Sequence, residues 1–308
     1  MVLTIGTRGS QLAMAQTLLV QQRLLAAPEC ISAEVVRITT TGDRVQNRPL
    51  SQIGGKALFV AEIETALRDG RIQLAVHSAK DIPSELPDDM CIAAFLPRAD
   101  ARDVLIANAG TDIASLPPGS RVGTSSPRRA CELRALRNDL DIRDIRGNVD
   151  TRLAKLDAGE FDAIVLAAAG LSRLGLLNRV TQYIPFSQMM PCAGQGAIAI
   201  EVLASNTSAL RLVSQLNHGP TGLAVTAERA FVKAIGGGCE TPLAANAQIL
   251  DGQLTLSAMI GHASGEFVSA TIVGPCADGI RLGETLAQQL MEKGGAALLQ
   301  SRSSPEAW

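Results

Sequence analysis

Aromatic side chains are scarce: one Trp, one Tyr and six Phe in 308 residues. Any core must therefore be built from Leu, Ile, Val and Ala, and a hydrophobic content of 46% supplies enough of them for a packed globular protein. There is no basic excess. The formal net charge of -2 argues against a nucleic-acid or membrane-surface role. No uninterrupted apolar stretch is long enough to span a bilayer. The opening residues MVLTIGTRGS lack a basic segment followed by an apolar run, so no secretory signal is expected and the cytoplasm is the expected compartment. No CxxC pair occurs among Cys30, Cys91, Cys131, Cys192, Cys239 and Cys276, and the three histidines are far apart, so no metal site is expected. Scattered cysteines suit a reducing compartment. Lysine is also rare, at 5 against 23 Arg. Arg holds planar carboxylates through two parallel hydrogen bonds, although genomic base composition produces the same bias.

What is present is an alternation of short β-branched runs with longer helical patterns. Residues 2–6 and 34–38 have strand character, as do residues 73–77, and Gln11 to Leu25 and residues 58–68 have helical spacing. The pattern restarts with a strand ending near 122–126, a helix at 128–137, a strand at 140–145, a helix over Asn148 to Leu156 and a buried strand within 161–170. This predicts an α/β fold with mostly parallel, helix-covered sheets. Domain 1 is expected over 1–96 together with the returning strand AIAIEV and residues up to 214. Domain 2 is expected over 102–190. From 219 to 308 a long helix, three strand-like runs and a closing helix predict a small α+β domain 3. Residues 39–56 are polar and aperiodic, as expected of a lid or a disordered segment.

Four turns carry candidate chemistry. VHSAKDIPSELP, residues 76–87, follows a strand, and ligands in open α/β sheets sit outside the carboxyl ends of strands. Asp81 next to Lys80 is placed for proton transfer or for stabilising a cation. The alternative is a plain turn, with Ser78 capping a short helix and the charges solvated. GTSSPRR, residues 123–129, sets Ser126 at a helix start just before Arg128 and Arg129. Arginine is unfavourable at the positive end of a helix unless an anion offsets it. IRGNVDTR repeats the arrangement with Arg146 and Arg152, and eight arginines face five acids between 121 and 152. GTRGS places Arg8 and the potential cap Ser10 at the first turn. Anion binding is the favoured reading of these turns, against a solvated basic face. AIGGGCETP puts Cys239 on a glycine-rich loop, where a thiol is either accessible for covalent chemistry or simply buried. IGGKALF lacks the phosphate-loop spacing, and GQGAIA is followed by strand pattern, so neither is a nucleotide motif. His77, His218 and His262 have no partners in sequence and are expected to be structural.

Together these segments resemble the porphobilinogen deaminase (hydroxymethylbilane synthase) family. GTRGS, TTGD, GGKALF, AVHSAKDIP, VGTSSPRR, IRGNVDTRL, DAIVLAAAGLSRLG, CAGQGAIAIE, TAERAF and GGGCETP occur in family order, from about residue 3 to residue 245. The resemblance implies two periplasmic-binding-protein-like α/β domains flanking a cleft, with a third domain that carries the cofactor. It implies a dipyrromethane attached to Cys239 by a thioether and made from the enzyme's own substrate. Asp81 would be the catalytic carboxylate, protonating the leaving amine and stabilising the azafulvenium-like cation that ammonia leaves behind. Lys80, Asp81, Ser126, Arg128, Arg129 and Arg146 would hold the cofactor. Arg8, Ser10, Arg152 and Arg173 would bind substrate carboxylates, with Lys56 and Phe59 at the end of a loop over the cleft. Four porphobilinogens would be joined head to tail by a monomeric cytoplasmic enzyme that binds neither nucleic acid nor membrane. Pro127, Ala79 and the GGGCETP loop depart from the usual family residues, and Pro127 fits the first turn of a helix. A carboxylate-binding protein without catalysis would not need Cys239 on a glycine loop. A phosphate or nucleic-acid binder is disfavoured by the net charge.

Overall fold

A computed structural model describes residues 2–44, 60–238 and 240–300. The chain forms two compact units, Met1–Ala99 with Gly196–Gly222 and Asp100–Gln195 with Leu223–Trp308. The predicted second and third domains thus share one unit.

The first unit is built on β1 (Val2–Thr7), β2 (Ser32–Arg37), β3 (Leu74–Ser78), β4 (Met90–Phe95) and β10 (Ile198–Leu203), in the order β2-β1-β3-β10-β4. β10 runs antiparallel to both neighbours, and β1, β2 and β3 are mutually parallel. AIAIEV therefore returns to the first sheet. Alternation along the strands divides the core. Leu3, Ile5, Leu74, Val76, Ile198 and Ile200 pack with Val20 and Leu24 of α1 (Gln11–Leu25) and with Leu212 of α7 (Thr207–Ser214). Ala75 faces the other way and packs with Ile63, Ala66 and Leu67 of α3 (Ala61–Arg68). Within the stretch expected to be aperiodic, Thr41–Arg44 form a short helix, α2.

The second unit repeats the order. β7 (Asp141–Arg143), β6 (Arg121–Gly123), β8 (Ala163–Ala167), β5 (Asp103–Ala107) and β9 (Gln182–Tyr183) form a sheet in which β5 is antiparallel to both neighbours. Val104, Ile106, Ile164 and Leu166 pack with Leu153 and Leu156 of α5 (Val149–Asp157). Leu105, Val122, Ala163 and Val165 pack with Leu133 of α4 (Pro127–Leu136). The short helix α6 (Ala168–Arg173) follows β8. Strands β4, β5 and β9 were absent from the sequence reading, because short strands without clear alternation give no periodic signal.

The antiparallel sheet β11-β12-β13 (Leu243–Leu250, Gln253–Gly261, Phe267–Pro275) packs one face on α8 (Gly219–Ile235) and α9 (Gly279–Leu290). Its first hairpin turns on Asp251 (φ 49°) and Gly252 (φ 74°), the doubly left-handed pair that matches strand twist. Phe231 of α8 is fully buried, which stabilises by roughly 3 kcal/mol. α9 approaches α8 so closely at Gly283 that a Cβ there would lie 2.5 Å from the Ala227 carbonyl oxygen. The expected closing helix is not continuous. Gly294 (φ 114°) interrupts it, and α10 (Ala296–Gln300) follows. No described helix is long and apolar enough to cross a membrane.

Candidate active site

In the first unit, β1 and β3 run parallel and deliver their carboxyl ends side by side. β1 leads through Arg8 to Ser10, whose Oγ accepts the Ala13 N–H (3.2 Å) and caps α1. β3 leads into a 3₁₀ turn, Ala79–Asp81, anchored where the Ala79 N–H donates to the Ala197 carbonyl (3.0 Å). Arg8, Ser10 and Asp81 line one pocket with Leu12, Ala13, Gln16, Val76, His77 and Ser78. Ser78 does not cap the turn with its side chain, which corrects the alternative of a plain N-capped turn. Its hydroxyl is engaged by the Gln16 amide (2.8 Å). Lys80 is half-buried in the same turn.

Arg8 is oriented by Asp43, which accepts from Nη2 at 2.5 Å and from Nε at 3.1 Å. Burial alone would raise the Asp43 pKa, but the hydrogen bonds and charge of Arg8, together with Thr40, hold it below the usual value of 3.8. Behind the turn, His77 Nε2 lies 3.0 Å from Glu201 Oε2, with both side chains buried. The two residues are 124 positions apart in the chain, so the partner of His77 was invisible in the sequence. Burial and the Glu201 charge push the nearby Glu64 carboxyl up.

In the second unit, Pro127 occupies the first turn of α4, as expected. Ser126 caps the helix, its Oγ accepting the Arg129 N–H at 3.4 Å. Arg128 and Arg129 do not project into solvent. Their side chains are 3% and 7% exposed, and both guanidinium groups meet Asp103, which is fully buried. Arg129 donates to Asp103 Oδ1 from Nε (3.0 Å) and Nη2 (2.6 Å) and to the Val165 carbonyl from Nη1 (2.9 Å). Arg128 lies 2.8 Å from Asp103 Oδ2 and donates to Glu132 (3.0 Å) and the Met190 carbonyl (2.8 Å). The protein itself thus places a carboxylate at this turn, against both arginines. Asp103 and Glu132 outweigh the effect of burial and raise the Arg128 pKa, and burial lifts Glu132 to about 7.

The next turn is different. Gly147 (φ 107°) lies against Thr151, and a Cβ there would come within 2.6 Å of it, so the IRGN turn requires glycine. Arg152 donates from Nε to the Gly147 carbonyl (2.8 Å). Its pKa is pushed down to about 10, first by burial and then by the like charges of Arg129 and Arg146, with partial relief from Asp144. Arg146 Nε lies 3.4 Å from Asp144. Burial alone pushes Arg173, in the last turn of α6, down to about 10. The charges of Arg129 and Arg146 are thus both felt at Arg152. Lys56, Phe59 and Cys239 lie outside the described residues. His218 and His262 hydrogen-bond locally, to Thr221 and Ser264.

The chain is similar to known proteins over most of its length. The family description "Porphobilinogen deaminase, dipyromethane cofactor binding domain" matches residues 3–211, and "Porphobilinogen deaminase, C-terminal domain" matches residues 222–292. The chain is 52% identical over 297 residues to a porphobilinogen deaminase of Roseiflexus castenholzii, covering 96% of this chain and 98% of that one. It is 46% identical to that of Chromobacterium violaceum, with 96% of each chain covered. Among solved structures it is similar to the methionine binding protein MetQ, at 12% identity and TM-score 0.42, over 70% of this chain and 89% of that one. Matches that run nearly from end to end, at up to 52% identity, establish that the chain belongs to the porphobilinogen deaminase family, transferases that make the linear tetrapyrrole hydroxymethylbilane on a dipyrromethane cofactor.

Proposed function

We propose that Asp81 is the catalytic carboxylate of this transferase and that Arg8 and Ser10 bind the substrate beside it. The supporting observation is the shared pocket: the parallel strands β1 and β3 set a carboxylate, a guanidinium and a hydroxyl around one space. Porphobilinogen carries two carboxylates and an aminomethyl group. Arg8 supplies a planar donor pair for a carboxylate, and Asp43 fixes the direction in which that pair points. An Asp81 oxygen delivers a proton to the departing amine. The remaining negative charge then stabilises the cation that ammonia leaves on the pyrrole. Lys80 contributes a second positive charge from the turn that carries Asp81.

The residues of the second unit fit a polycarboxylate cofactor. Burial and then the charges of Arg129 and Arg146 disfavour the charged form of Arg152, and an added carboxylate would relieve the repulsion there. Arg146 and Arg152 hold carboxylates directly, with Arg173 as a further cation. Arg128, Arg129 and Ser126 shape the turn from within. When bound through Cys239, the dipyrromethane supplies the nucleophilic pyrrole carbon to which the first substrate is joined. We further propose that the enzyme works as a cytoplasmic monomer that binds no nucleic acid. The net charge of -2 supports the last point.

The test is Asp81→Asn, which keeps size and polarity but removes the charge. Single-turnover ammonia release, measured with the cofactor already loaded, should fall by about a hundredfold or more. Asp81→Glu should be slower than the parent but faster than Asn. An Asn variant as fast as the parent would move the proton and charge work elsewhere.

A further inference from the structure

β11 is an edge strand, paired with β12 on one side only. Donors on its other edge must find partners away from the sheet. The Ala245 N–H donates to the Pro191 carbonyl (3.0 Å), and the Ala247 N–H donates to Glu228 Oε1 (2.7 Å). Glu228 lies on α8 and is completely buried. Its second oxygen, Oε2, accepts the Gly194 N–H at 2.7 Å. One carboxylate therefore ties together a helix, an edge strand and the segment 190–195. That segment is fixed again from α4. The Met190 N–H donates to Glu132 (2.6 Å), and the Met190 carbonyl accepts from Arg128. The Gln195 amide donates to Asp103 (2.9 Å) and to the Ala101 carbonyl (2.7 Å).

α8 ends at Ile235 and β11 begins at Leu243, so Glu228 joins the two elements from which the Cys239 loop hangs. Two backbone donors from separate segments require two acceptor oxygens. A glutamine would present an NH₂ to one of them, donor against donor. We propose that Glu228 is a positioning residue for cofactor attachment: it holds both ends of the Cys239 loop in one register with the segment bound to the arginine turn. This rests on the reading that Cys239 carries the cofactor.

The test compares Glu228→Gln, Glu228→Asp and Phe231→Leu. The last perturbs the same helix at a buried core position and serves as a control for lost stability. For each folded variant, intact mass gives the fraction of chain carrying two extra pyrrole units and the rate at which apo chain gains them from porphobilinogen. Glu228→Gln should load about tenfold more slowly than Phe231→Leu at matched thermal stability. Glu228→Asp keeps the charge with a shorter reach and should fall between Gln and the parent. Equal loading for the Gln and Leu variants would overturn the proposal, as would failure of both Glu228 variants to fold, which would make the residue purely a stability element. A Cys239→Ser chain that still carries the adduct would overturn the attachment reading instead, a separate result.

Discussion

Asp103 Oδ1 accepts two hydrogen bonds from the guanidinium of Arg129, at 3.0 and 2.6 Å, and neither side chain reaches solvent freely. The same carboxylate also faces Arg128 and the Gln195 amide. One aspartate thus fixes a pair of adjacent arginines and one end of a crossing segment.

Breaking such a buried pair leaves an uncompensated charge. Asp103→Asn should cost about 3–5 kcal/mol, read as a lowered midpoint in reversible denaturation with an unchanged denaturant slope. A loss below about 1 kcal/mol would mean that the two arginines readily find other partners.

Arg152 separates stability from function. Its charge is disfavoured in the fold, so removing it relieves the protein while depriving the ligand. Arg152→Leu should raise the melting temperature of the cofactor-free chain by about 2 °C and impair tetrapyrrole synthesis at least tenfold. Calorimetry and turnover on the same preparation check both halves, and a lower melting temperature with full activity would refute the assignment.

Asp162 sets an acid limit. Arg121 holds its carboxyl at about 2, below the ordinary 3.8, through side-chain and backbone hydrogen bonds. The unfolded chain binds this proton first, so the stabilisation is present above pH 3.8 and disappears as pH falls through about 2. The side chain is 39% exposed, and solvent screening holds the effect to about 1 kcal/mol or less. Asp162→Asn should lower stability at pH 7 by that amount, and the gap to the parent should close in strong acid.

Cys239→Ser should yield folded chain without the two-pyrrole mass increment, because a serine hydroxyl cannot form the thioether. Intact-protein mass spectrometry reads this directly.

The long helices and the apolar strands were legible because their periodicities are local. Ser10 was legible as a potential helix cap, and Ser126 as the start of a helix, for the same reason: a cap and the helix it serves are neighbours in sequence. Asp81 stood out as a candidate because it follows a clean strand, and it lines a pocket with Arg8 and Ser10. The ion pairs were not legible. Asp103 lies 26 residues from Arg129, and Asp43 lies 35 from Arg8. No spacing rule connects such residues, since only strand order brings them together. The internal carboxylate that both Arg128 and Arg129 meet was not foreseen. Glu132, one helical turn from Arg128, was the one available clue.

The matching strand orders of the two sheets impose a sequence on synthesis. In each sheet the single antiparallel strand is the first one made after the chain leaves the other unit: β5 follows β4, and β10 follows β9. A nascent chain that has emerged only as far as Ala99 has β3 and β4 but lacks the strand that lies between them. Its sheet keeps two unpaired edges until residues 198–203 leave the ribosome, by which time every strand of the second sheet already exists. The amino-terminal unit is thus first to be translated yet last of the two sheets to receive all its strands, and a fragment cut before residue 196 should be a client for chaperones rather than an independent domain.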